Sequence, residues 1–207
     1  MDAFVEMTGT GTASGPPDVV VLDLSVRATG SAVAKALGSA DEAMTGIVEH
    51  ARGQGIAATD LQTTGASVYP QHDRDGVRTL GYVATQSLRV RLRDREGVGP
   101  LISACSRIAG NALTIENIGL QIGDTAELTN QARAAAFADA RTKAQQFADL
   151  AGRALGQVIF VADAPIGPGP VRYARMAAMA ADSAGGMPVE MGEHSVSATV
   201  TVRWGWA

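Results

Sequence analysis

Four arginines recur at every second position near the middle of the chain, at Arg89, Arg91, Arg93 and Arg95. Because successive side chains of a β-strand point to opposite faces, this spacing predicts a basic row on one face of a strand. Such a row could bind a small anion, a nucleic-acid backbone or an acidic patch on another subunit. The alternative, which we favour in a chain of net charge −4, is a solvated strand whose charges prevent aggregation through its edge.

A polar cluster, His72-Asp73-Arg74-Asp75-Gly76, supplies imidazole and carboxylate groups that could hold a divalent ion. Aspartate and glycine are also the residues that tight turns require, so we interpret this cluster as the solvated tip of a hairpin. The other two histidines, His50 and His194, are not paired with the cluster or with each other at metal-ligand spacing. We therefore expect neither a metal site nor a cofactor.

Cys105 is the only cysteine, which excludes a disulfide or a cysteine-based zinc site within one chain. It shares the apolar stripe of a predicted helix with Ile108, where we favour a buried thiol over a nucleophile or a redox sensor. The chain is expected not to be an enzyme, because no catalytic set is evident. A reaction that uses Cys105 or the histidines is the weakest hypothesis.

A glycine-rich stretch, 9–15, follows the first predicted strand. Dinucleotide binding needs a helix N-terminus directly after such glycines, so that backbone amides meet the pyrophosphate. Here Pro16-Pro17 and another strand come next. We interpret 9–15 as a glycine-rich turn between two strands.

Two further groups could form contact surfaces. Trp204 and Trp206 lie on the apolar face of the last predicted strand, where they either fix that strand in the core or form an interface. Four methionines fall in a Pro- and Met-rich loop at about 165–192, as flexible filler or as an adaptable surface for a partner. These methionines are Met176, Met179, Met187 and Met191.

The composition is that of a single folded domain of 207 residues, 46% of them hydrophobic and 18% charged. Aromatic residues make up only 4%, so Val, Leu, Ile and Ala must build the core. The net charge of −4 gives no general attraction to nucleic acid.

No apolar run reaches the length of about 18 residues that spans a bilayer. Because Met1–Val5 lack the features of a secretory signal, the chain as written is predicted to be cytoplasmic, with removal of an export signal as the alternative.

Hydrophobic periodicity predicts seven strands and three helices. The strands cover 4–8, 19–29, 61–69, 77–92, 113–122, 158–162 and 196–206. The helices begin at Ser31, Gly99 and about Thr125, and end at Gly53 or Gly55, at Gly110 and at Leu155. One side of the third helix carries Leu128, Ala132, Ala136, Ala140, Ala144, Phe147, Ala151 and Leu155.

The long hairpin favours antiparallel pairing, so the predicted class is α+β, with mixed, largely antiparallel sheets and helices on their faces. We expect a single domain over 1–207, which could consist of two lobes.

Several short motifs occur in an order that resembles the SIMPL-domain family. They are Gly9-Thr10-Gly11, Gly81-Tyr82, Gly110-Asn111, Ala140-Arg141 with Lys143-Ala144, Gly152 with Leu155-Gly156, and Pro188-Val189-Glu190 with Gly192. The resemblance spans nearly the whole chain. It implies an α/β or α+β fold, bacterial members in the periplasm or outer envelope, and large ring-like oligomers for some members. It also implies a poorly defined role with links to oxidative stress in bacteria and to kinase signalling in eukaryotic relatives, and it transfers no catalytic residues.

The leading hypothesis is therefore a non-enzymatic assembly or interaction protein, with a stress- or envelope-related role, whose partner is a second copy of itself. Self-association would use sheet edges, the Met-rich loop or the C-terminal aromatic strand. The alternative is a module that binds a small anion or ligand on the Arg89–Arg95 strand face. Neither hypothesis involves nucleic acid or a transmembrane segment.

Overall fold

The structure is a computed structural model that describes residues 3–163 and 194–207, within which the chain forms two compact units. The terminal unit contains 3–17, 122–163 and 194–207, and the central unit contains 18–121. In chain order, the strands are β1 Phe4–Gly15, β2 Val19–Gly30, β3 Leu61–His72, β4 Thr79–Leu92, β5 Leu113–Gln121, β6 Leu155–Asp163 and β7 His194–Trp206. The helices are α1 Val33–Gly53, α2 Val98–Ala109 and α3 Ala126–Leu150. The predicted α+β class is confirmed, because both sheets pair antiparallel and carry helices.

The terminal unit is a three-stranded sheet with the order β1-β7-β6, packed on one face against α3. The first and last described strands pair along their whole length, from Phe4 opposite Gly205 to Gly15 opposite His194. The alternation predicted for the last strand is confirmed, because every second residue of its central part is buried against α3. These buried residues are Ala198, Val200, Val202 and Trp204.

Two glycines of β1 allow α3 to lie almost on the backbone of the sheet. A Cβ at Gly9 would lie 2.0 Å from the carbonyl oxygen of Ala136, and one at Gly11 would lie 2.2 Å from that of Ala132. On the helix side, alanine recurs at the buried positions 132, 136, 140, 144 and 148. The prediction of a turn at 9–15 is wrong, because these residues continue β1 and their missing side chains make room for a helix.

The third helix ends earlier than predicted, at Leu150 rather than Leu155. Gly152 adopts a φ of 63°, which favours glycine and ends the helix. The N–H of Gly152 donates to the carbonyl of Asp149, and that of Arg153 donates to Ala148, as in a Schellman motif. As a result Leu155 begins β6, and Phe147, predicted on the apolar side, is 52% exposed.

The central unit is a four-stranded sheet with the order β3-β4-β2-β5, and α1 and α2 pack on one face. Alternate residues of β2, from Val20 to Val26, and of β4, from Leu88 to Leu92, form the core with the apolar stripes of both helices. The predicted hairpin is confirmed, since β3 pairs antiparallel with β4 across the 73–78 turn. It is longer than expected, because β3 continues beyond Tyr69 to His72.

The helices agree with the predictions in some details and differ in others. The helix predicted to begin at Ser31 begins at Val33, and no side chain caps its start. Ile108, predicted on the buried stripe of α2, is 38% exposed. Gly110 ends α2 as predicted, with a φ of 54°. Gly55, with a φ of 84°, follows α1 in the same way.

Candidate functional site

The outermost strand of the terminal sheet, β6, exposes a continuous apolar run. Val158 is 41% exposed, Ile159 51%, Phe160 44% and Val161 52%. In the described part of the chain β6 pairs only with β7, so its other side is a sheet edge. Exposed apolar edge strands are templates for pairing with another chain, and we call residues 158–161 the β6 edge.

The sheet face opposite α3 extends the apolar surface of the β6 edge. The guanidinium carbon of Arg203 lies 5.0 Å from the ring centre of Phe4 and 4.9 Å from that of Phe160. Arg203 also forms an ion pair with Glu6, which orients its side chain across the three strands. Phe4 remains 46% exposed, so both rings stay available for contact.

The opposite edge of the same sheet is closed by two side chains of α3. The backbone N–H of Thr10 donates to Oδ2 of Asp139 at 2.9 Å, and Nζ of Lys143 donates to the carbonyl of Thr8 at 3.2 Å. Lys143 also pairs with Asp139 at 2.7 Å, one helical turn away. These groups take the place of a neighbouring strand at this position of β1, so that among residues 3–163 and 194–207 the outer side of β6 is the edge without such a cover.

The pairing of Asp139 predicts a pH dependence of stability. The hydrogen bond from Lys143, with that from Thr10, lowers the pKa of Asp139 below its ordinary value of 3.8. Because the folded pKa is the lower one, this stabilisation is complete above pH 3.8 and is lost as the pH falls through the folded pKa. We expect Asp139→Asn to be less stable than wild type at pH 7, by a margin that shrinks on acidification.

Urea unfolding of both proteins at pH 7 and at pH 3 measures this margin. Asp149→Asn is the control, because it removes the same charge from α3 at a residue bonded to Gln145 rather than to β1. A margin for Asp139→Asn that stays constant or grows in acid would contradict the assignment.

The four arginines do not form one basic face. The strand β4 ends at Leu92, so only Arg89 and Arg91 lie on it, and Arg93 and Arg95 belong to the connection to α2. Arg89 is engaged by a carboxylate of β2: its Nε lies 2.7 Å and its Nη2 3.1 Å from the two oxygens of Asp23. The hydrogen bond and charge of Asp23 raise the pKa of Arg89. The predicted continuous row is therefore wrong.

A cleft of about 740 Å³ lies in the central unit, beside the end of β4. It is bounded by the C-terminal end of α1 with the following segment, by residues 91–94, and by α2. Two of the four arginines, Arg91 and Arg93, line it together with Arg107 of α2. Arg107 could not be assigned to this cleft from the sequence, because the approach of α2 to the end of β4 depends on tertiary packing.

The family model of SIMPL, described as a protein of unknown function (DUF541), matches residues 5–204. The chain belongs to the SIMPL family. The 26 kDa periplasmic immunogenic protein of Brucella melitensis biotype 1 is 30% identical to this SIMPL chain over 212 residues, which cover 97% of this chain and 83% of that protein. The uncharacterized protein YggE of Escherichia coli K12 is 27% identical over 156 residues, which cover 74% of this chain and 63% of YggE.

Two motifs that carried the resemblance meet in the structure of this SIMPL chain. Gly9-Thr10-Gly11 of β1 packs on the part of α3 that holds Ala140 and Lys143. The glycines and alanine set the close approach, and Lys143 bonds the strand edge. Their geometry gives these motifs a role in folding.

The tryptophans of the SIMPL chain occupy different environments. Trp204 is 2% exposed and its ring lies 6.1 Å from that of Phe137 on α3, which favours the core interpretation for this residue. Trp206 is half-buried, with the guanidinium of Arg153 5.4 Å from its ring. The predicted contact residues Met176, Met179, Met187 and Met191 lie outside the described residues.

The remaining polar candidates have structural roles in the SIMPL chain. Cys105 is fully buried, and this burial raises the pKa of its thiol, as expected for a packed cysteine. Asp73 accepts the backbone N–H groups of Val77 and Arg78 in the hairpin turn, and these bonds lower its pKa. Within residues 3–163 and 194–207, no three His, Cys, Asp or Glu side chains are placed so that they could hold a metal ion. None of the helices in these residues has the length and hydrophobicity of a membrane span.

Proposed function

We propose that this SIMPL protein is a non-enzymatic assembly protein whose copies associate through the β6 edge. The observation that carries the proposal is the run of four exposed apolar side chains on an edge strand of the terminal sheet. Burying such side chains is favourable by roughly 25 cal/mol per Å² of apolar surface, and pairing the strand satisfies its outer N–H and C=O groups. A second copy supplies both kinds of contact.

Charge at the ends of β6 favours an antiparallel arrangement of the two copies. The strand ends at Asp163, and Arg153 stands two residues before its start. The register of β6 with β7 shifts between Leu155 and Val158 and again between Val158 and Phe160. Antiparallel overlap centred on Ile159 sets this residue opposite Ile159 of the second copy, with Asp163 at the level of Leu155. The carboxylate of Asp163, which forms an ion pair with Arg133 of its own copy at 2.6 Å, then lies diagonal to Arg153 of the second copy. Parallel pairing would instead align like charges, so a two-fold symmetric sheet is the expected contact.

A non-enzymatic role in the cell envelope agrees with the other observations. The only thiol of the chain is buried with a raised pKa, which disfavours it as a nucleophile or redox sensor. A relative that is 30% identical is named as a periplasmic protein, and we infer the same compartment for this chain. Release of the protein with periplasmic markers on osmotic shock is expected, whereas retention with cytosolic markers would contradict it.

The alternative function, anion binding by a row of four arginines, has weaker support. Asp23 already neutralises Arg89, and β4 ends before Arg93. A flat basic face of the kind that this hypothesis required is absent from the described part of the central unit. Assembly is therefore the function that the geometry supports best.

The solution mass of the wild-type chain tests self-association. Light scattering coupled to size exclusion, at low and at high salt, is expected to give a discrete multiple of 21.2 kDa. Because the contact is mainly apolar and backbone-mediated, the multiple should persist in high salt. A mass of one chain at every concentration would contradict the proposal.

A further inference from the structure

The cleft of the central unit has the dimensions and floor of a small-molecule site. Its volume of about 740 Å³ falls within the range of about 300–1,000 Å³ that is usual for such sites. Leu92, Leu101 and Ala104 line it and are buried, while Ile56 is half-buried at its wall. An apolar group of a ligand could therefore be removed from water here.

Charges of both signs surround this apolar floor. The arginines Arg91, Arg93 and Arg107 line the cleft, and so do Asp60, Asp94 and Glu96, with His50 at the end of α1. In the described residues, none of these side chains belongs to an ion pair. The carboxylate of Asp94 accepts a hydrogen bond from the backbone N–H of Glu96 at 3.0 Å, so one of its oxygens is already engaged within the turn.

The balance of charge decides which ligand class fits. Three arginines and three carboxylates cancel, so the cleft has no net positive charge to attract a phosphate or a dicarboxylate. Separated opposite charges instead suit a ligand that carries both signs. A guanidinium binds a carboxylate with two parallel hydrogen bonds, and a carboxylate binds an ammonium group.

We propose that this cleft binds a zwitterion with an apolar side chain, as presented by a free α-amino acid or by a short peptide with free termini. The arginines hold the carboxylate of the ligand, Asp60 and Glu96 hold its ammonium group, and the side chain packs on Leu92 and Leu101. The site lies wholly within the central unit and does not depend on self-association.

Isothermal titration calorimetry of the full chain tests this inference with L-leucine and with the dipeptide Leu-Leu. We expect saturable binding of at least one of them. Binding of leucine identifies a free amino acid as the ligand, and binding of Leu-Leu alone identifies a short peptide as the ligand. N-acetyl-leucine, leucinamide and phosphate are expected to bind at least tenfold more weakly than the better zwitterion, because the first lacks the ammonium group, the second lacks the carboxylate, and phosphate lacks both of these and the apolar side chain.

Variants tie the binding to the cleft. Arg91→Gln with Arg107→Gln is expected to weaken binding at least tenfold, whereas Arg141→Gln, an exposed arginine of α3, should leave it unchanged. Both arginines replaced in the cleft are exposed, so the midpoint of thermal unfolding should not change. Absence of saturable binding by both zwitterions, equal binding of phosphate, or equal binding by the double variant would overturn the inference.

Discussion

Replacing Gly9 and Gly11 together with alanine is expected to unfold the terminal unit. Each added Cβ would lie within 2.2 Å of a backbone carbonyl oxygen of α3, a distance that no rotation of a side chain can relieve. Overpacking a core usually costs about 1–3 kcal/mol per site, and a clash with backbone should reach the upper end. About 3 kcal/mol for each glycine would remove much of a typical total stability of about 5–15 kcal/mol.

The fluorescence of tryptophan reports on this unit alone, because the chain has two tryptophans and both lie on β7. The double variant should show the red-shifted emission of solvent-exposed tryptophan under conditions where the wild type does not. Gly65→Ala is the matched control, since this glycine also lies in a strand but a Cβ there meets nothing within 4 Å. Wild-type emission and an unchanged unfolding midpoint in the double variant would refute the close packing of α3 on β1.

Replacing Ile159 with lysine is expected to abolish self-association. The side chain of Ile159 is 51% exposed at the centre of the β6 edge, so the folded single chain should tolerate the change. A lysine there would place two ammonium groups face to face in the paired sheet, and charge at an edge strand opposes pairing. The mass by light scattering should fall to 21.2 kDa.

Leu150→Lys controls for the added charge. Leu150 is 83% exposed and is the last residue of α3, so it is not part of the β6 edge, and its replacement should preserve the wild-type mass. An Ile159→Lys protein that keeps the full mass, or a Leu150→Lys protein that loses it, would count against β6 as the contact.

Local patterns in the sequence were sufficient to predict most elements of the fold. Alternating residues in β2 and β7 indicated half-buried strands, and the Asp- and Gly-rich cluster indicated the hairpin. Helix ends were predictable where glycine follows, as at Gly55 and Gly110, because both adopt positive φ. These features depend on residues close together in the chain.

Features that depend on distant residues could not be predicted in this way. The stretch 9–15 has the composition of a turn, and only the approach of α3, more than 110 residues later, explains why its glycines lie in a strand. Arg89 is neutralised by Asp23, 66 residues away. The apolar run 158–161 indicated a strand, but an apolar run normally predicts a buried one, and its position at an edge follows from sheet order.

Cysteine cross-linking at the β6 edge measures the proposed contact most directly. Ile159→Cys, made in a Cys105→Ala background, is expected to form an intermolecular disulfide under mild oxidation, because full antiparallel overlap sets residue 159 opposite itself at about 4.5–5.5 Å between Cα atoms. Val161→Cys has nearly the same exposure, 52% against 51%, but its two copies would lie about 13 Å apart along the strand, too far for a disulfide. Self-association through the β6 edge predicts cross-linked dimer from Ile159→Cys and none from Val161→Cys. No dimer from it, or equal dimer from both variants, would contradict it.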